Sequence, residues 1–313
     1  MAASRKKLLK WLLVSGLFLL AAFLLYRNLG SYDLGEMRRS LISLPGAAWG
    51  QALLWATASY FCLTLFDYFA LRHAGHPLPY PKAAIASFTS LSIGHSLGVA
   101  FLSSGAIRYR FYSQDGLGVE DVAKVILYCG VTVGIGLAGL GALALMLRAD
   151  VAAKILNVSP ATAMVIGASI ALLLAAYLAA AGLIRKKIRI RKASFALPRL
   201  PLAIAQFVIG PVNFACVAAC LYSVMDAVAD VTYPAVVTVY VLGNVASLIS
   251  HVPGGLGVLE GVVLYLAPGA NVAVALVAFR CVYFLLPLSI GALLLAFSEL
   301  RLRTRPTAEI QAE

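Results

Sequence analysis

The chain is 313 residues long, 62% hydrophobic and only 12% charged, with a mean hydropathy of +0.91. Soluble domains are roughly half apolar and a quarter charged, so the composition excludes an ordinary soluble protein. It leaves one transmembrane domain over 1–313, with no long polar segment for an appended soluble unit. The net charge of +12 does not indicate a nucleic-acid partner, because the basic residues gather at the ends of apolar runs. They are Arg5-Lys6-Lys7 with Lys10, the run Arg185–Lys192, and Arg301, Arg303 and Arg305. That is the cytoplasmic-loop bias of a membrane protein, and anionic lipid headgroups are natural neighbours of it.

In chain order, the first apolar run, Trp11 to Tyr26, follows a basic segment. It lacks a small-x-small cleavage site before Arg27-Asn28 and reads as a retained helix. A span needs about 20 apolar residues, which predicts full crossings at 9–26, 46–71, 121–147, 160–184, 201–225 and 272–298. Two more apolar stretches, 83–118 and 234–268, are interrupted. The first carries Gly94-His95-Ser96-Leu97-Gly98 and then Ser103-Ser104-Gly105; the second carries Pro253-Gly254-Gly255-Leu256-Gly257. Backbone in lipid must satisfy its own polar groups, so such breaks occur where protein buries them or where they line a watery cavity.

With both termini and the 185–199 loop cytoplasmic, 83–118 must start and finish inside and 234–268 must start and finish outside. Each is a re-entrant hairpin or a pair of short spans. Arg27, Arg38 and Arg39 in the 27–45 loop pull against this map. The predicted fold is an all-α polytopic bundle of six full spans and two broken hairpins. Its halves, 46–147 and 201–298, run in opposite senses across the membrane, an inverted-repeat plan common in transporters.

The five cysteines all lie in apolar runs and suggest neither a disulfide framework nor a metal set. No cofactor is expected. Gly134-Ile135-Gly136-Leu137-Ala138-Gly139 matches a dinucleotide fingerprint but follows no strand. Close helix packing, with Gly130 and Gly134 forming a GxxxG pair, explains these glycines better. No nucleophile elbow appears, and an enzyme is not expected.

The candidate substrate-binding residues are the ionisable groups at membrane depth. Glu260 and Arg280 form either a structural ion pair or a headgroup or proton site. Arg108 and Arg110 offer planar forks that match phosphate, or they anchor the chain at the cytoplasmic surface. Asp67 is a partner for either arginine. His95 and His251 occupy the two breaks, as proton relays or as donors to freed carbonyls. Gly94, Gly98, Pro253, Gly254, Gly255 and Gly257 are the expected break or hinge positions.

The runs Ser104–Ser113 and Ser250–Glu260, with Ala278-Phe279-Arg280-Cys281-Val282-Tyr283-Phe284-Leu285-Leu286-Pro287, resemble the transmembrane domain of the bacterial lysylphosphatidylglycerol synthase/flippase family, the multiple peptide resistance factors. The similarity runs from about residue 40 to 300. The resemblance implies a multi-pass inner-membrane protein that moves a phospholipid between leaflets, with Arg108, Arg110, Glu260 and Arg280 at the matching ionisable positions. The soluble aminoacyl-transferring domain is absent, so synthase activity is not carried over. The reading is a phospholipid translocase. The rivals are a secondary transporter of a small solute and a non-transporting scaffold. A homo-oligomer and a separately encoded lipid-modifying enzyme stay open as partners.

Overall fold

The computed structural model describes residues 41–97, 100–184, 188–190, 193–195, 197–250, 258–266 and 270–304. The predicted span 9–26 lies outside them, as do Gly98, His251 and the Pro253–Gly257 run. Four of the predicted crossings are single helices: α1 (Gly46–Ala74), α4 (Val119–Leu147), α6 (Pro160–Leu183) and α7 (Leu200–Met225). At about 1.5 Å per residue, each is long enough to cross a hydrocarbon core about 30 Å thick. Their ends follow local chemistry. Pro160 opens α6 behind Ser159, whose Oγ accepts the Thr162 N–H at 3.1 Å. Gly75 closes α1 in the left-handed conformation, at φ 87°.

The predicted 83–118 stretch folds as two antiparallel segments, α2 (Tyr80–Leu97) and α3 (Ala100–Tyr112), followed by a 3-10 turn at Ser113–Asp115. Gly94, where the first expected break begins, lies inside α2, its other end at Gly98 being outside the described residues; the second expected break, at Ser103-Ser104-Gly105, is corrected. Helix runs through it. Gly105 is used for packing, since a Cβ there would stand 3.1 Å from Ile126 Cδ1. The two described helices are bounded at Leu97 and Ala100. The 234–268 stretch likewise gives α8 (Tyr233–Ser250) and α9 (Val258–Leu266). Both leading helices open on the same dipeptide, Tyr80-Pro81 and Tyr233-Pro234, with proline where its missing N–H costs nothing.

The final crossing is composite: α10 (Ala270–Arg280), a π-turn at Cys281–Leu285, and α11 (Leu286–Thr304). Pro287 accounts for the π-turn. It has no N–H for the carbonyl of Tyr283 four residues back. The Leu286 N–H reaches five residues back to Cys281, and the Tyr60 hydroxyl donates to the Tyr283 carbonyl at 3.2 Å. Two small elements were not expected from the sequence. They are α5 (Ala149–Leu156) and, in the basic loop, an antiparallel ribbon of β1 (Ile188–Ile190) and β2 (Ala193–Phe195) with Arg189 opposite Ser194.

The core sits where α1 and α7 cross, the most extensive helix contact in the fold. The contacts of the first triplet recur in the second. α1 packs on α2 and α4 as α7 packs on α8 and α10. α2 meets α11 as α8 meets α4, and α3 meets α4 as α9 meets α10. The predicted close packing holds at Gly136 and Gly139 but is corrected at Gly130 and Gly134, where a Cβ would meet nothing within 4 Å among the described residues. One on Gly136 would fall 2.5 Å from the carbonyl carbon of Gly210, so α4 and α7 touch backbone to backbone there. The face carrying Gly136 points at α7, which residue spacing alone does not reveal. Helix α6 and the outer face of α11 present Leu172, Leu173, Leu293 and Phe297 outward, the composition of a lipid-facing surface.

Candidate functional site

The most concentrated polar chemistry surrounds Asp67, seven residues before the end of α1 and wholly buried. Arg108 on α3, 2% exposed, binds it through both prongs of its fork. Nε reaches Oδ2 and Nη2 reaches Oδ1, each at 2.8 Å. The Tyr112 hydroxyl donates to Oδ2 at 2.7 Å, and Cys129 Sγ on α4 lies 3.5 Å from Oδ1. Ser87 Oγ on α2 stands 3.0 Å from Oδ1 and 3.0 Å from the Leu63 carbonyl, its one proton serving either. One carboxylate thus gathers donors from α2, α3 and α4 onto α1. A lone charge at membrane depth costs about 2.5–3.5 kcal/mol on insertion scales. Here the pair is neutral as a unit and its lone pairs are occupied, which is the condition for burying it.

Arg110, two residues on, faces elsewhere. Its Nε donates to Glu299 Oε1 near the end of α11 at 2.7 Å, and the side chain remains 41% exposed. The two arginines therefore do different things. Arg108 is consumed in holding the first hairpin to α1. Arg110 stands at the rim, with one carboxylate partner and access to the surroundings. Tyr109 between them is 43% exposed. Nearby, Lys82 of α2 pairs with Asp115 of the 3-10 turn, closing the open end of the hairpin.

A second buried network lies at the α1–α7 crossing. Ser59 donates to Asn213 Oδ1 at 2.7 Å, and the Tyr283 hydroxyl, 2.8 Å from Ser59 Oγ, is left to donate to it. With the Tyr60 bond to the Tyr283 carbonyl, this ties α1 and α7 to the π-turn. A third joins α6 to α4 and α7. Tyr177 donates to Gln206 Oε1 at 2.8 Å, and Gln206 Nε2 donates to Thr132 Oγ1 at 3.0 Å.

Of the remaining expected residues, His95 lies half-buried in the last turn of α2, and Gly94 is buried beside it within the helix. Arg280 ends α10, with its guanidinium 5.5 Å from the Phe284 ring centroid, a cation–π distance. Glu260 belongs to α9; its side chain, and with it the expected pairing with Arg280, lies outside what is described. Among the described residues no group of three His, Cys, Asp or Glu side chains is placed to hold a metal. Sequence reasoning missed the Arg110–Glu299 pair, the Ser59–Asn213–Tyr283 network and the π-turn. The signals for them were a glutamate late in the last span, an asparagine amid an apolar run, and Pro287.

Long apolar helices, charges neutralised in the interior and an outward apolar face define a multi-pass membrane protein. The chain belongs to the family described as the lysylphosphatidylglycerol synthase transmembrane region, whose profile matches residues 9–291. It is 32% identical over 253 residues to the Synechocystis protein slr0712, covering 77% of this chain and 76% of that one. It is also 25% identical over 289 residues to the inner membrane protein YbhN of Escherichia coli, covering 90% and 89% of the two.

Proposed function

We infer that the protein is a phospholipid translocase of a bacterial inner membrane, with both termini cytoplasmic. The observation that carries the reading is the repeated arrangement of a split helix pair within each triplet, α2–α3 against α1 and α4, and α8–α9 against α7 and α10. With the charge map of the loops, these halves form an inverted repeat whose two interrupted hairpins enter from opposite leaflets, and the polar groove lies where they meet. Membership of a family described by a lipid-synthase transmembrane region, and similarity to an inner membrane protein, support both the lipid and the location.

In this reading the lipid phosphate is met by Arg110 at the cytoplasmic rim, in exchange for Glu299. A guanidinium fork suits a phosphate bidentately. Arg108 acts as the positioning residue that holds α3 and so fixes where Arg110 stands. Glu260 and Arg280 belong to the opposite gate, and the acyl chains stay in the bilayer. The purified chain in liposomes carrying leaflet-labelled phosphatidylglycerol and phosphatidylethanolamine tests this. Exchange of labelled lipid between leaflets at a rate above protein-free vesicles is expected. Uptake of a soluble solute with no lipid exchange would favour the secondary-transporter reading, and neither activity would favour the scaffold.

A further inference from the structure

Among the described residues, helix α11 packs chiefly on one neighbouring helix. One face is turned outward along Ile290, Leu293, Phe297 and Leu300. Its extensive helix contact is with α2, and chain continuity joins it to the π-turn. Three features line up along it. At its start is the π-turn, where backbone hydrogen bonding is already irregular and where helices commonly bend. Midway, Gly291 lies against α2. A Cβ there would collide with Ser92 Oγ, would sit 3.2 Å from Ser92 Cβ, and would be 3.7 Å from Thr89 Cα. Near its end, Glu299 holds Arg110.

The contact surface on α2 is unusual for a membrane interior. Thr89 and Ser92, which meet Gly291, are both wholly buried. Ser92 donates to the Thr89 carbonyl, whereas Ser87, on another face of α2, serves Asp67 or Leu63 of α1. Thr89 Oγ1 is buried with no hydrogen-bond partner among the described residues. A closed apolar interface gains nothing from an orphaned hydroxyl, and such groups call for an explanation. Glycine against serine also gives a smooth seam, with no knob locked into a hole. Small and hydroxyl residues let helices approach closely in lipid and leave little interlocking to undo.

We propose that α11 is a lateral gate, hinged at the π-turn, sealed along α2 at Gly291 and Ser92, and latched by Arg110 and Glu299, through which a phospholipid headgroup passes along the hydroxyl face of α2. The proposal rests on the translocase reading and gives it a route. A phosphate that takes Arg110 from Glu299 releases the latch. The seam then parts, and Thr89 meets headgroup oxygen atoms that complete its hydrogen bonding. The bundle core is undisturbed, because the Asp67 cluster faces α1 and the π-turn stays tied to the α1–α7 crossing through Tyr283.

The test is a seam disulfide, Ser92→Cys with Gly291→Cys. Their Cβ separation of 3.2 Å lies near the usual disulfide range of about 3.5–4.5 Å. The native cysteines are buried or half-buried. Leaflet exchange of labelled phospholipid is compared in the same proteoliposomes before and after oxidation, then after reduction. Exchange that falls at least tenfold on oxidation and returns on reduction is the expected result. Equal rates in the oxidised and reduced states overturn the gate while leaving the translocase reading intact, and so does failure of the disulfide to form. A second measurement does not depend on transport: spin labels on Ile85 of α2 and Leu293 of α11, both outward-facing. A distance distribution that broadens toward longer values when phosphatidylglycerol is added supports the gate. One narrow, unchanged distance overturns it. A pair that moves in a chain exchanging no lipid supports the gate and counts against the translocase reading alone.

Discussion

Asp67 and Arg108 meet through two parallel hydrogen bonds of 2.8 Å, entirely inside the bundle, though 41 residues separate them in the chain. Their union lets a carboxylate and a guanidinium sit at membrane depth, and it fastens the first hairpin to the first long span. Because the pair is buried, its two members are not equivalent to their sum.

Removing one partner leaves the other uncompensated. Asp67→Asn or Arg108→Met alone is expected to cost about 3–5 kcal/mol, read as a large fall in the thermal midpoint of the detergent-purified protein. The double variant Asp67→Asn with Arg108→Met is expected to recover much of that loss. A single variant as stable as the native chain would contradict the account of the cluster.

The glycine crossing makes a sharper contrast. Gly136→Ala and Gly210→Ala force backbone apart, because the added Cβ meets main chain rather than a movable side chain. Each is expected to cost about 1–3 kcal/mol. Gly130→Ala and Gly134→Ala meet nothing within 4 Å and are expected to be neutral or slightly stabilising. Thermal unfolding of the four variants side by side checks the ordering.

Tyr60 and Pro287 are coupled through the carbonyl of Tyr283. In the native chain Tyr60→Phe removes a buried hydrogen bond and is expected to cost about 0.5–1.5 kcal/mol. In a Pro287→Ala background residue 287 regains an N–H for that carbonyl, so the same change is expected to cost almost nothing. A double-mutant cycle measures the difference, and strict additivity would mean that the hydroxyl does not replace the lost backbone bond.

At the rim, Arg110→Ala is expected to slow leaflet exchange about tenfold or more, a barrier change of about 1.4 kcal/mol. Arg110→Lys keeps the charge without the fork and is expected to fall between. Glu299→Gln removes the competing carboxylate and is expected to lower the lipid concentration needed for half-maximal rate. Equal rates for all three variants would remove Arg110 from the pathway.

Much of this fold is written in the sequence as runs of about 20 apolar residues. The crossings at 46–71, 121–147, 160–184, 201–225 and 272–298 appear within a few residues of where hydropathy puts them. Helical periodicity also separates the two arginines. Residues two apart lie on nearly opposite faces of a helix, so Arg108 and Arg110 cannot share one partner. What the sequence did not carry is tertiary. Glycine and serine suggested a break at 103–105, yet inside a packed bundle Gly105 serves a close approach to Ile126 and the helix continues. The partner of Arg110 lies 189 residues away. The π-turn needs both Pro287 and a hydroxyl from another helix, and neither announces the other.

The most direct test of the central claim is the initial rate of leaflet exchange in proteoliposomes of the native chain. It compares labelled phosphatidylglycerol with the same lipid methyl-esterified at its phosphate. The account predicts exchange of the anionic lipid well above protein-free vesicles and markedly slower exchange of the uncharged ester. Rates for the anionic lipid no faster than in protein-free vesicles would contradict it.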